Sequence, residues 1–159
     1  MPPTSYEKVG PLLHVNLLDE QLPYKHLIGS VLLDKVPQCR TVVNKIGKID
    51  TAFRTFDMEV LAGENNTHVS LSENGCRYDF DYSRVYWNSR LHHEHARLVK
   101  SFSPSDIVAD MFCGVGPFSI PAAKKGCTVY ANDLNPSCFY YLNRNVEKNH
   151  VETVRWRDR

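Results

Sequence analysis

The segment Asp110-Met-Phe-Cys-Gly114-Val-Gly116 is the part of this chain whose residue types and spacing best suit a small-molecule ligand. Glycines one residue apart let the backbone turn tightly and let a ligand approach it without a Cβ in the way. Further on, Asp133 follows the apolar stretch from Cys127 to Ala131, and a carboxylate at such a strand end can accept hydrogen bonds from both ribose hydroxyls of an adenosine. A dinucleotide-binding loop would add a third glycine to bring a helix N-terminus against a pyrophosphate. Ser119 holds that position here, behind Pro117 and Phe118, and an acid, Asp110, precedes the glycines. Carboxylates favour a cationic ligand over a phosphate. The competing interpretation is a tight strand-to-helix turn in which Asp133 only caps the next helix.

Such a loop needs a strand before it and a helix after it. Ile107 to Phe112 is a continuous apolar run, Phe118 to Lys125 a short helix, Cys127 to Ala131 a second buried strand, and Asn135-Pro136 opens a helix running to about Asn149. This βαβα order predicts the start of a doubly wound α/β sheet, which binds ligands at its carboxyl edge. A helix from Arg90 to Phe102 leads into it. The chain up to about Tyr82 has another texture. Leu22 to Lys35 reads as a helix with Leu27, Ile28, Val31 and Leu32 as its apolar stripe, and Pro37 ends it. Thr41-Val-Val, Met58 to Leu61 and His68 to Leu71 read as strands. After the Asn74-Gly75 turn, Cys76, Tyr78, Phe80 and Tyr82 alternate with Arg77, Asp79 and Asp81, as in a strand with one buried face. The expected organisation is a tail over 1–8, a small α+β domain over 9–88, and the N-terminal part of a Rossmann-like domain over 89–159.

Bulk properties narrow the field. A length of 159 residues suffices for one compact domain or two small ones sharing an interface. The 19 basic and 18 acidic residues are interspersed, so the net charge of +1 supplies no electrostatic footprint for nucleic acid. Five scattered cysteines without a CxxC pair argue against a disulfide framework or a zinc knuckle and point to a reducing, intracellular setting. No secretory or organellar presequence and no membrane-spanning run is visible. His92, His93 and His95 crowd Glu94, and His92 and His95 share a helical face, but no third ligand for a metal is evident.

The DxxxGxG pattern at Asp110 resembles motif I of class I methyltransferases. Other segments extend the likeness: His14-Val-Asn-Leu17, Leu22-Pro-Tyr-Lys25, Val43-Asn-Lys45, Phe53-Arg-Thr-Phe56, Leu61-Ala-Gly-Glu64, Val85-Tyr-Trp-Asn-Ser-Arg-Leu91, Glu94-His95 and Ala131-Asn-Asp-Leu-Asn-Pro136. Together they closely resemble the tRNA (guanine-37-N1)-methyltransferases of eukaryotes and archaea. The resemblance implies S-adenosylmethionine as cofactor, tRNA with guanosine at position 37 as partner, and methyl transfer to N1 of that base, next to the anticodon. N1 of guanine is a poor nucleophile until its proton is removed, so a carboxylate base and a guanidinium facing O6 suit the reaction. In the family these roles fall on positions matching Glu94 and Arg54. Family cofactor positions match His95, Tyr86, Asp110, Phe112, Gly114, Gly116, Asp133 and Leu134, with no metal. Composition alone nominates neither Glu94 nor Arg54.

The family further implies an intracellular monomer in the cytoplasm and nucleus, with a mitochondrial matrix pool. Relative to the family pattern, only two strands of the methyltransferase sheet are legible here. The Asn-Pro motif of its fourth strand is expected beyond Arg159, and no counterpart of the N-terminal tRNA-gripping domain of archaeal members is expected within this sequence. Two expectations therefore stand side by side: a methyltransferase using Arg54 and Glu94, and a truncated, non-catalytic paralogue with residual cofactor or tRNA binding.

Overall fold

The computed structural model describes residues 6–47, 52–152 and 154–156. In the first part, β1 (Glu7–Val9), β2 (Leu12–Val15), β3 (Thr41–Ile46) and β4 (Asp57–Gly63) form a sheet in that order. β2 and β3 are parallel, whereas β1 and β4 flank them antiparallel. Parallel neighbours require a crossover, and α1 (Lys25–Lys35) supplies it. Every residue of β2 is buried, as expected for a strand covered on both faces. Leu13 and Val15 pack with Val42 and Leu61 beneath Leu32 and Leu33 of α1, while Leu12 and Val43 face the rest of the core.

The stretch from Leu22 to Lys35 is not one helix. Asp19–Tyr24, containing Pro23, is a 3₁₀ turn, and α1 begins only at Lys25. The expected stripe is also rotated: Leu27 is 64 % and Val31 50 % exposed. The physical reason is close packing on β4, where the buried Gly29 lies against Leu61 and Ala62 and His26 Nδ1 lies 3.0 Å from the Leu61 carbonyl. Glu7 and Lys8, within the stretch read as a tail, belong to β1, and Glu7 Oε1 accepts the Ser89 amide at 2.9 Å. Met1–Ser5 lie outside the described residues.

β5 (His68–Glu73) and β6 (Cys76–Asp81) form an antiparallel hairpin about Asn74-Gly75. The alternation is as expected: Cys76, Tyr78, Phe80 and Tyr82 are buried, and Tyr78 and Phe80 gather around Trp87. A 3₁₀ turn at Ser89–Leu91 leads into α2 (His92–Ser101). Then β7 (Ile107–Asp110), α3 (Ser119–Lys124), β8 (Thr128–Ala131), α4 (Pro136–Lys148) and β9 (Val154–Trp156) follow, and their strands form a parallel sheet in chain order. β9 has too few residues to show a period and was not anticipated. Among the described residues β7 pairs with β8, and Ile107 is 74 % exposed. The hairpin lies on α4 as well as on the first sheet, which joins the two parts through one continuous core.

Candidate active site

The glycine loop leaves β7 at Asp110 and stays tied to β8. Asn132 donates its amide to the Asp110 carbonyl and the Cys113 amide donates to the Asn132 carbonyl, both at 2.9 Å. Gly114 and Gly116 have φ of +53° and +100°, where a side chain is disfavoured. Their surroundings differ. A Cβ on Gly116 would stand 2.7 Å from Ile120 Cδ1 and 2.8 Å from Leu142 Cδ1, so this residue lets α3 and α4 close on the loop. Around a Cβ on Gly114 there would be open space, which leaves the backbone accessible to a ligand.

Asp133 stands beside that space. Its Oδ2 accepts the Gly114 amide at 2.8 Å and its Oδ1 the Asn135 amide at 2.9 Å, and with four lone pairs the carboxylate can accept more than these two bonds. Asn135 caps α4 by accepting from the Ser137 amide and reaches back to donate to the Arg84 carbonyl. Asp110 accepts the Ser119 hydroxyl at 2.7 Å, and burial pushes its carboxyl above the ordinary range against that hydrogen bond. Ser119, standing where a dinucleotide loop has glycine, thus serves to hold the first acid of the motif.

A cleft of about 500 Å³ opens over the loop. One wall is Phe112, Gly114, Asp133 and Leu134; Asn135 and Cys138 continue it along α4, while Tyr86 and Arg54 come from the other side. Phe112 and Leu134 are 90 % and 71 % exposed, large apolar side chains that suit the face of a ring. Arg54 adopts φ of +57°, a left-handed conformation uncommon outside glycine and of the kind that collects at functional sites. Burial, followed by the Asp133 carboxylate, pushes the Cys138 thiol up to about 12, so it lines the cleft as a neutral group.

Of the residues named from the sequence, Arg54, Tyr86, Phe112, Gly114, Asp133 and Leu134 meet in this one cleft. Gly116 sits behind the loop, and Asp110 lines an adjoining recess with Phe112 and Phe118. Glu94 and His95 are not on the cleft wall. Glu94 lies on the exposed face of α2, its two oxygens accepting from Arg97 Nε at 2.7 Å and Nη2 at 2.6 Å, and that hydrogen bond holds its carboxyl below the ordinary range. His95 points inward: its Nδ1 lies 2.6 Å from Glu73 Oε1 and its ring meets Phe118 edge to face at 4.7 Å. His92 turns to the Ser89 carbonyl instead, and among the described residues no group of three His, Cys, Asp or Glu side chains could hold a metal ion. Sequence reasoning missed Asn135 and Cys138 as cleft residues. The helix-capping pattern at Asn135-Pro136, with Cys138 one turn on, was the available signal. For Glu73 there was none.

Residues 69–156 match the TRM5/TYW2 methyltransferase domain, and residues 2–67 match the TYW2 N-terminal domain. The tRNA (guanine(37)-N(1))-methyltransferase of Dictyostelium discoideum is 54 % identical over 152 residues, which are 95 % of this chain and 33 % of that protein. That of Ciona intestinalis is 58 % identical over 144 residues, 91 % of this chain and 32 % of that protein. Among solved structures, Trm5b of Pyrococcus abyssi aligns with a TM-score of 0.89 at 36 % identity, over 97 % of this chain and 47 % of that one. A complex of aTrm5 with tRNALeu gives 0.88 at 36 % identity, over 96 % and 46 %. Trm5 of Methanocaldococcus jannaschii in complex with adenosine gives 0.81 at 35 %, over 96 % and 46 %. The chain thus spans about a third of the length of these curated relatives. With a small α+β unit set before the opening strands of a class I methyltransferase sheet, and with both of its parts matched in sequence, the chain belongs to the TRM5/TYW2 methyltransferase family.

Proposed function

We propose that this chain carries the cofactor pocket and base-activating residues of a tRNA (guanine-37-N1)-methyltransferase dependent on S-adenosylmethionine. The observation that carries this reading is the single cleft shared by Arg54, Tyr86, Gly114, Asp133 and Leu134. The relatives named above support it, one solved with adenosine and one with tRNALeu. The residues fit an adenosine: open space over Gly114, a carboxylate with spare lone pairs at Asp133, and apolar walls at Phe112 and Leu134. Bound S-adenosylmethionine would supply a methyl group activated by its sulfonium.

The chain's own residues handle the base. The Arg54 guanidinium stabilises negative charge developing on O6 as N1 loses its proton, and Glu94 accepts that proton. Glu94 stands off the cleft wall with both oxygens engaged by Arg97, so its assignment as the base rests on the family resemblance and not on the cleft. Tyr86, 43 % exposed on the cleft wall, offers a ring against which a flat group can stack.

Methyl incorporation into tRNA bearing guanosine 37 tests this reading. Glu94→Gln is expected to abolish it and Arg54→Ala to lower it roughly 100-fold. Incorporation by the Glu94→Gln protein equal to that of the parent removes Glu94 as the base. Calorimetric titration with S-adenosylhomocysteine is expected to saturate, and a flat titration favours a truncated, non-catalytic paralogue. The same reading carries an intracellular monomer of cytoplasm and nucleus with a mitochondrial matrix pool. Five free cysteines accord with its reducing setting alone, and light scattering and imaging of a tagged chain test the rest.

A further inference from the structure

Glu73 ends β5 at the mouth of the hairpin turn, and its side chain is only 11 % exposed. A carboxylate buried that deeply is costly unless paired. Its partner is His95, whose side chain is 5 % exposed and whose Nδ1 lies at 2.6 Å, the length of a charge-assisted hydrogen bond. A carboxylate accepts only, so Nδ1 carries the proton and the ring is fixed in orientation. That ring is clasped on two sides, edge to face against Phe118 at 4.7 Å and against Trp87 at 6.2 Å. Phe118 closes the glycine loop, directly before the Ser119 hydroxyl that holds Asp110. Contacts therefore run from the hairpin through Glu73, His95 and Phe118 into the loop, although neither Glu73 nor His95 reaches the cleft.

We propose that Glu73 is a positioning residue: by holding His95 through Nδ1 it sets the seat of Phe118 and, through it, the shape of the Gly114–Gly116 loop. Its effect on ligand affinity rests on the cleft being the S-adenosylmethionine pocket; its effect on loop shape does not. Nitrogen-15 spectra of the unliganded chain are expected to show His95 protonated at Nδ1. Glu73→Leu is expected to displace the Gly114 and Gly116 amide resonances and to weaken S-adenosylhomocysteine binding about tenfold. Phe118→Leu acts on the same path, so the double variant is expected to lose less than the sum of the two single losses. A separate, merely structural role for Glu73 would give additive losses. Unmoved glycine amides, or additive losses, overturn the proposal. A parent chain that fails to bind S-adenosylhomocysteine overturns the cofactor reading, and the amide shifts then decide on Glu73 alone. Should circular dichroism show Glu73→Leu unfolded, Glu73→Gln and His95→Phe take its place. The amides are expected to move in His95→Phe and to move less in Glu73→Gln, which keeps an acceptor. Unmoved amides in His95→Phe overturn the proposal equally.

Discussion

The carboxylate of Asp133 bridges to the glycine loop, accepting the Gly114 amide at 2.8 Å while its other oxygen accepts the Asn135 amide at 2.9 Å. One side chain thereby ties the end of β8 to the loop after β7 and to the start of α4. Removing it leaves two backbone donors without their partner, each worth about 1 kcal/mol net. Asp133→Ala is expected to lower the melting temperature by several degrees and S-adenosylhomocysteine affinity at least about tenfold. Asp133→Asn keeps one acceptor and is expected to fall between. Thermal unfolding and calorimetry on the same preparations check both.

The two loop glycines separate folding from binding. Gly116→Ala places a Cβ against Ile120 and Leu142 at a φ of +100°, and is expected to cost about 2–3 kcal/mol in urea unfolding. Gly114→Ala meets no neighbouring atom and carries only the left-handed penalty of about 1 kcal/mol. Its Cβ occupies the space left open over the loop, so ligand binding is expected to suffer more than stability. Equal stability losses in the two variants would contradict this division.

Glu94 illustrates what a sequence leaves open. The Arg97 side chain, three residues along α2, holds its carboxyl below the ordinary range. Arg97→Ala is expected to move the Glu94 titration midpoint up toward the ordinary glutamate value, read from the side-chain carboxyl carbon by NMR. An unmoved midpoint would show that Arg97 does not restrain the proposed base.

The cleft was legible because its parts are local in sequence: DxxxGxG sets a loop, and Asp133 ends the next strand. Period-two alternation likewise identified β6, since its buried face packs on a continuous core. What was illegible depends on partners distant in the chain. The rotation of α1 follows from Gly29 meeting Leu61, and the burial of His95 from a glutamate on the β5–β6 hairpin. Arg54 carried no composition signal at all, and its cleft position emerges only when residues 52–54 meet Tyr86 and Leu134.

His14, on β2, is buried beside Tyr82, and neither ring nitrogen has a hydrogen-bond partner among the described residues. Burial, then the charges of Lys45 and Arg90, lower it from 6.5 to about 4. A depressed histidine favours folding in its neutral form, so its contribution is intact above 6.5 and is lost as the pH falls toward 4. Between pH 7 and pH 5 the unfolded chain takes up a proton that the folded one refuses, a loss of about 2 kcal/mol. His14→Phe preserves a buried ring and removes the titration. Urea midpoints at the two pH values are expected to differ less in the variant by that amount, and an identical pH dependence in both proteins rules out His14 as its source.

Asn145 and Asn149 attach α4 to the open edge of β6 by a match of repeats. Four residues of helix rise about 6 Å and two residues of strand about 6.6 Å, so asparagines at i and i+4 meet alternate strand amides. Asn145 Oδ1 accepts from the Asp79 amide and Asn149 Oδ1 from the Arg77 amide, both at 2.8 Å. The other arm of Asn145 donates to the Val115 carbonyl at 3.1 Å, inside the glycine loop, and that of Asn149 returns to the Arg77 carbonyl at 2.6 Å. Lys148 adds an ion pair to Asp79 at the same seam. Asn145 is fully buried, so Asn145→Ala leaves an amide and a carbonyl unsatisfied, and a loss of about 3 kcal/mol in urea unfolding is expected. Asn149 is also buried, and Asn149→Ala, which strips the Arg77 amide and carbonyl of their partner, is expected to cost a similar amount. Because Val115 lies between the two loop glycines, only Asn145→Ala is expected also to weaken S-adenosylhomocysteine binding. Equal binding in the two variants would show that the seam supports the fold without shaping the loop.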